Sequence, residues 1–411
     1  MVDVRARGSS GFFGGGRVVV VLLFLLLLLT TSAQAVMAAE TYVMVTKWGS
    51  NGTGQGQFNL SYGAALDSTG NVYVADFENN RVQKFTSNGS FIAAWGRYGT
   101  GKGEFRHPSG VAVDHDGYVY IADHYNHRVQ KFTSSGTYVA SWGGFGSAEG
   151  QMTFPYGIAV DRSCNVYVAD YYNARVQKFT STGTFLAAAG SPGSGNGQFR
   201  YPAGVAVNST GFIYVADQYN HRVQVLDPSG AYVATIGGDG NATGRTHYPT
   251  NIAFDAADTV FICDHGNHRV QTFTPSGTFV TTWGCRGTAD GQFQSPTGIA
   301  VDSAGYVYVA DTNNGRVQKF ARQSVTPTVT PTPTASPGVI AIPGGSGISI
   351  DADGDGKNED VNGNGRKDFA DVTLFFGQMS WIAANEPLAA FDYNGNGRID
   401  FADVTWLFNH L

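Results

Sequence analysis

Two twelve-residue stretches near the C-terminus of this 411-residue chain carry oxygen donors at a spacing that suits a hard cation. In the second, Asp392, Asn394, Asn396, Asp400 and Asp403 fall at loop positions 1, 3, 5, 9 and 12. Gly397 allows a sharp turn at position 6, and Arg398 offers its backbone carbonyl at position 7. The first copy, 32 residues earlier, repeats the pattern with Asp360, Asn362, Asn364, Arg366, Asp368 and Asp371. Ca²⁺ takes roughly six to eight oxygen ligands at about 2.3–2.6 Å, and this spacing wraps them around one ion per loop. Two bound Ca²⁺ ions are therefore expected. Each loop leads into an apolar-striped segment, 370–379 and 402–411, with the pattern of a short amphipathic helix. A further acidic run, Asp351, Asp353 and Asp355, begins another such loop but has no twelfth position of its own.

A second group of candidates lies in the middle of the chain, inside a repeat. ADFENNRVQKF begins at Ala75, and relatives begin at Ala122, Ala169, Ala216, Cys263 and Ala310, always 47 residues apart. Asp76 and its five equivalents are invariant, as are the Asn three residues on and the Arg five residues on. A feature copied identically six times reads as a brace for a turn rather than a site, which needs an asymmetric constellation. The residues that vary directly after the Asp are better candidates for recognition: Phe77, His124, Tyr125, Tyr171, Tyr172, Tyr219 and His265. They share an end of the repeat with segments carrying His107, Tyr156, Tyr201 and Tyr248. An aromatic and histidine-rich rim suits a protein, peptide or glycan ligand. His124 and His265 stand three repeats apart, too far around a ring to share one metal ion. No Ser–His–Asp or paired-carboxylate arrangement breaks the sixfold pattern, which argues against an enzyme. The alternative is a secreted lyase or hydrolase acting on carbohydrate or peptide.

The elements that must position these residues are strands. With 55 glycines, 13% aromatic residues and only 14% charged residues, the chain has the composition of short strands joined by tight turns. In the second repeat, 110–114, 118–123, 128–132 and 138–142 read as four strands separated by turn residues. A period in the forties with four strands per copy is that of an all-β propeller, here with six blades. Residues 42–48 resemble a fourth strand without the first three, and the last repeat lacks its fourth. The N-terminal strand is therefore expected to complete the last blade and close the ring.

The Tyr-Val-Ala-Asp strand, the Asn-His-Arg-Val-Gln element and the Gly-Val-Ala-Val-Asp strand resemble the NHL repeat over residues 42–320. That resemblance implies a six-bladed propeller. The C-terminal region, with Asp at position 12 and a short helix after each loop, resembles a dockerin. The resemblance implies Ca²⁺ held by the donors named above and docking onto a cohesin-like module. At loop positions 10 and 11 both copies have Phe-Ala (Phe369-Ala370 and Phe401-Ala402), where well-known dockerins carry a polar pair.

Arg5, Arg7 and Arg17 precede an apolar run over 18–29 and an Ala33-Gln34-Ala35 cleavage pattern, which reads as a signal peptide. The expected organisation is a signal peptide at 1–35, a propeller at 40–323, a Thr/Pro-rich linker at 324–347 and a calcium-binding domain at 348–411. The protein is expected to be secreted or associated with the cell surface. Net charge is −6, yet residues 348–411 hold 11 Asp/Glu against 4 Lys/Arg, so the remainder is close to neutral. A near-neutral propeller lacks the basic stripe of a nucleic-acid binder. It is expected to be monomeric. Three cysteines give no disulfide framework.

Overall fold

The computed structural model describes residues 40–324. They form six four-stranded antiparallel sheets. The first blade is built from Ser61–Leu66, Val72–Asp76, Arg81–Phe85 and Phe91–Trp95. The second begins at Pro108–Val113, the third at Pro155–Val160, the fourth at Pro202–Val207 and the fifth at Pro249–Phe254. In the sixth, Pro296–Val301, Val307–Asp311 and Arg316–Ser324 are joined by Glu40–Trp48. That strand runs antiparallel to Arg316–Ser324, with Tyr42 opposite Arg322 and Trp48 opposite Val317. The first strands of successive blades abut one another in a ring, and Pro296–Val301 returns to Ser61–Leu66.

Burial follows position in the blade. The second strand is buried along its whole length, as in Val119–Asp123, because both of its faces meet neighbouring blades. The fourth alternates, as in Phe91–Trp95, because one of its faces meets solvent. The core consequently lies between blades: Tyr73 and Val82 of the first pack with Val119, Ile121 and Phe132 of the second. Trp48, Trp95, Trp142 and Trp283 cap four of the six seams, while Ala189 and Ile236 stand at the equivalent place in the other two.

Near the axis five of the six first strands approach their neighbours closely enough to require glycine. A Cβ on Gly110 would lie 2.4 Å from the Tyr156 carbonyl oxygen, and one on Gly298 would lie 2.1 Å from that of Tyr62. Gly63, Gly157 and Gly204 hold the same place, but the fifth blade has Asn251. Among the described residues no helix is long and apolar enough to cross a membrane.

Candidate functional site

The repeated polar residues form one network per blade, and it is structural. In the second blade the Asp123 carboxylate, fully buried, accepts from Arg128 Nε at 2.8 Å and Asn126 Nδ2 at 2.9 Å. Gln130 Nε2 at 3.0 Å and the backbone N–H of Arg106 at 2.8 Å complete its shell. Arg128 then donates to the carbonyls of Thr100, Gly101 and Glu104, tying the incoming loop to its blade. Burial nonetheless outweighs these partners and pushes the Asp123 carboxyl up from its ordinary value. The Asn anchors through its side chain, while the left-handed backbone falls one residue later, at His127 (φ 56°). His127, His221 and His268 each accept a backbone N–H at Nδ1, from Phe154, Tyr248 and Ser295, at 3.1, 3.1 and 3.0 Å. Those bonds pin one blade's turn to the next blade's loop.

Above this framework, on the same end of the ring, the varying residues gather into an aromatic crescent. Phe77 stacks on His107 at 4.8 Å, and His107 meets the edge of Tyr125 at 4.8 Å. Tyr125, Phe154, Tyr172, Tyr201, Tyr219 and Tyr248 continue in ring-to-ring steps of 5.0–5.3 Å. The crescent covers the first four blades and stops. Equivalent places in the fifth and sixth hold Gly266, Asn313 and Ser295. Every exposed aromatic among the described residues belongs to this end: Tyr98 (65% exposed), Phe145 (70%), Tyr125 (40%), Tyr172 (56%) and Tyr219 (39%). The exposed aliphatic residues, such as Ile92 and Val139, lie instead on fourth strands. Between the third and fourth blades Tyr171, Tyr172, Pro192, Arg200 and Tyr201 line a groove of about 310 Å³.

The seven rim candidates therefore separate. Tyr125, Tyr172 and Tyr219 face solvent at one repeat position in three consecutive blades. Tyr171 is half-buried beneath them, stacked on Tyr156 and Tyr201, with its hydroxyl donating to Gln218 Oε1 at 3.1 Å. Phe77 and His124 are buried and support the surface from below. His124 approaches the Pro155 carbonyl with Nδ1 at 3.0 Å, and burial pushes its pKa down to about 4. His265 makes the equivalent contact with Pro296 at 3.3 Å and is likewise pushed down by burial. Each imidazole is held by its own seam. Tyr156 is not on the rim: it is the second residue of an innermost strand, and its ring lies 5.9 Å from that of Tyr62.

Some participants escape a reading of the repeat. Tyr98 and Phe145 stand 47 residues apart in loops that look like plain connections. Asn251 faces a cavity of about 280 Å³ at the axis, lined otherwise by the apolar first strands. Its signal is visible in the sequence: an amide where every other copy has glycine. The calcium-loop residues, from Asp360 to Asp403, lie outside the described residues.

The NHL repeat family matches residues 63–85, 105–132, 152–179, 199–226 and 293–320, and the dockerin type I family matches 358–411. The chain carries NHL repeats and a dockerin type I domain. The NHL matches pass over the fifth copy, the one with Asn251 and Gly266, although it folds as a blade in the same register. No curated protein matches the chain. Among solved structures, a Bacteroides thetaiotaomicron protein of unknown function is 18% identical at TM-score 0.55, over 69% of this chain and 76% of its own. An auxiliary nutrient binding protein from Bacteroides ovatus is 17% identical at TM-score 0.51, covering 69% and 77%. A streptogramin B lyase is 13% identical at TM-score 0.50, covering 70% and 99%. At such identity these likenesses establish the propeller fold alone.

Proposed function

We propose that this is an exported binding protein whose NHL propeller holds a glycan chain on the aromatic crescent and whose dockerin domain fastens it to a cohesin-type partner. The observation that carries the reading is the gathering, among the described residues, of all exposed aromatics on one end of the ring, over four of six blades. Sugar rings stack their C–H faces on flat aromatic surfaces, while tyrosine hydroxyls and nearby amides meet their hydroxyls. Three exposed tyrosines at one repeat position in consecutive blades present such surfaces as a curved track. The cations beside it, Arg106 over Tyr98 and Arg200 over Tyr219, are already placed against rings, which suits an uncharged ligand. Pairing of Glu40–Trp48 with the last blade closes the ring and holds the track rigid.

In the dockerin domain, side-chain oxygens at five loop positions and a carbonyl at a sixth fit Ca²⁺, so Asp360 to Asp371 and Asp392 to Asp403 would each hold one ion. Bound Ca²⁺ supplies charge neutralisation and a fixed loop geometry. The N-terminal signal pattern and the dockerin together support a secreted or surface-attached location. The test is capture from the native extracellular fraction with and without Ca²⁺, combined with binding of soluble oligosaccharides to the full chain. Calcium-dependent capture of a cohesin module and saturable, non-hydrolytic oligosaccharide binding support the reading. Ligand turnover would favour the lyase or hydrolase alternative, and binding of peptides only would remove the glycan assignment.

A further inference from the structure

The opposite end of the ring carries a different departure from sixfold symmetry. The turn between first and second strands needs one residue in the left-handed region, and four blades use Gly70, Gly117, Gly211 and Gly305 there. The third and fifth blades instead hold Cys164 (φ 60°) and Asp258 (φ 59°). Both reach across a seam to the turn of the preceding blade. Asp258 accepts from the backbone N–H of Ser209 at 3.0 Å and from its hydroxyl at 2.5 Å. Cys164 Sγ faces His115 Nδ1 at 3.3 Å. Asp116 adds a carboxylate oxygen 3.5 Å from His115 Nε2, and one donor atom from each of the three residues lies within 4.8 Å of the others.

We infer that His115, Asp116 and Cys164 form a binding site for a zinc-type divalent cation, bridging the second and third blades at the end remote from the crescent. Thiolate, imidazole and carboxylate are the donor set for zinc, at about 2.3, 2.0–2.1 and 2.0–2.2 Å. Around a tetrahedral ion those bond lengths put ligand atoms roughly 3.5 Å apart, close to the separation of Sγ from Nδ1. The cysteine is fixed by its turn. His115 and Asp116 are exposed, so their side chains are free to complete the shell, leaving a fourth position open to water or to a partner's donor. The surroundings favour a cation: Asp114, Asp116 and Asp161 act on the thiol, opposed by Lys131. That lysine is committed to the Ser181 carbonyl at 3.2 Å and the face of Tyr118 at 4.0 Å. Burial and those carboxylates push the thiol up, which argues against Cys164 as a nucleophile. Binding replaces the thiol proton with the metal and releases that proton to solvent.

Among the described residues the other cluster of metal-type donors, His221, Asp239 and His247, has a poorer geometry. Its two imidazoles stack at 4.6 Å with planes only 3° apart, so one ion cannot lie in both. His221 Nδ1 is also occupied by the backbone N–H of Tyr248.

The experiment uses the reduced full chain, saturated with Ca²⁺ so that the dockerin loops do not compete, and dialysed against Zn²⁺. Elemental analysis should find one zinc per chain, lost in Cys164→Gly and in His115→Ala. Cys164→Gly installs the residue four other blades use in the same turn, so the blade keeps its fold. Cys285→Ser, at the exposed cysteine elsewhere, should keep the zinc. Co²⁺ in place of zinc should show a near-ultraviolet thiolate charge-transfer band that disappears with Cys164. Zinc uptake that survives Cys164→Gly, a cobalt spectrum without the band, or no uptake at all would overturn the assignment.

Discussion

His124 offers a sharp test of the idea that the crescent rests on a dry, neutral support. Its imidazole is enclosed by Phe77, Tyr125, Phe154 and Tyr156, with ring centroids 5.0–6.1 Å away, and burial lowers its pKa from 6.5 to about 4. A shift of that size corresponds to about 3 kcal/mol of preference for the neutral ring in the folded state. The sign follows from linkage: between about pH 4 and 6.5 the unfolded chain binds a proton at this residue and the folded chain does not. The contribution is therefore complete above pH 6.5, declines as the pH falls through this window, and is gone below about 4. The perturbation is His124→Gln, the residue the fourth blade itself uses at this place (Gln218). Glutamine keeps a donor for the Pro155 carbonyl and cannot titrate. Urea unfolding near neutral pH and again near pH 4 should show the wild type losing about 3 kcal/mol more than the variant. Subtracting the two chains removes acid effects on the dockerin loops, which both share. Equal losses, or a His124 resonance titrating near 6.5, would refute the reasoning and place the ring in contact with water.

Arg128→Ala should cost about 3–5 kcal/mol, because it strips the main ion-pair partner from a fully buried Asp123. Since burial already raises the Asp123 pKa, that deficit should shrink as the carboxyl protonates at lower pH, as read from urea midpoints. Deleting residues 40–48 should lower the melting temperature by more than about 10 °C and promote self-association, measured by calorimetry and light scattering, since it bares the Arg316–Ser324 edge and removes Tyr42 from Trp283, 4.1 Å away. Trp142→Ala should cost about 3 kcal/mol, the low end for a large-to-small change, because the adjoining seam already functions with Ala189 in that place.

The repeat made most of the fold legible. A 47-residue period with four strand-like runs per copy fixes the blade count, and the strand over 128–132 agrees residue for residue with Arg128–Phe132. The first strand begins two residues earlier than its apolar run, at Pro108, because pairing with Asp123 extends it through a bulge. The brace role of Asp, Asn and Arg was readable from its sixfold identity. What the sequence hides is depth. Phe77 and Tyr172 look alike as rim aromatics, yet the first is buried under its neighbours and the second stands in solvent, a difference made by packing across blades. Tyr98 and Phe145 join the crescent because glycine-rich loops fold back over it, bridged by single pairs such as Tyr98 with Phe105. Cys164 and His115 are 49 residues apart and meet only because adjoining blades bring equivalent turns side by side.

The central claim is that the crescent is the propeller's binding surface, and calorimetric titration of oligosaccharides into a Tyr125→Ala, Tyr172→Ala, Tyr219→Ala triple variant tests it most directly. Each ring contributes about 0.5–1.5 kcal/mol of stacking, so together their loss should weaken binding at least tenfold. A triple variant that unfolds like the wild type and has lost that affinity supports the claim. Unchanged affinity in a folded triple variant would contradict it.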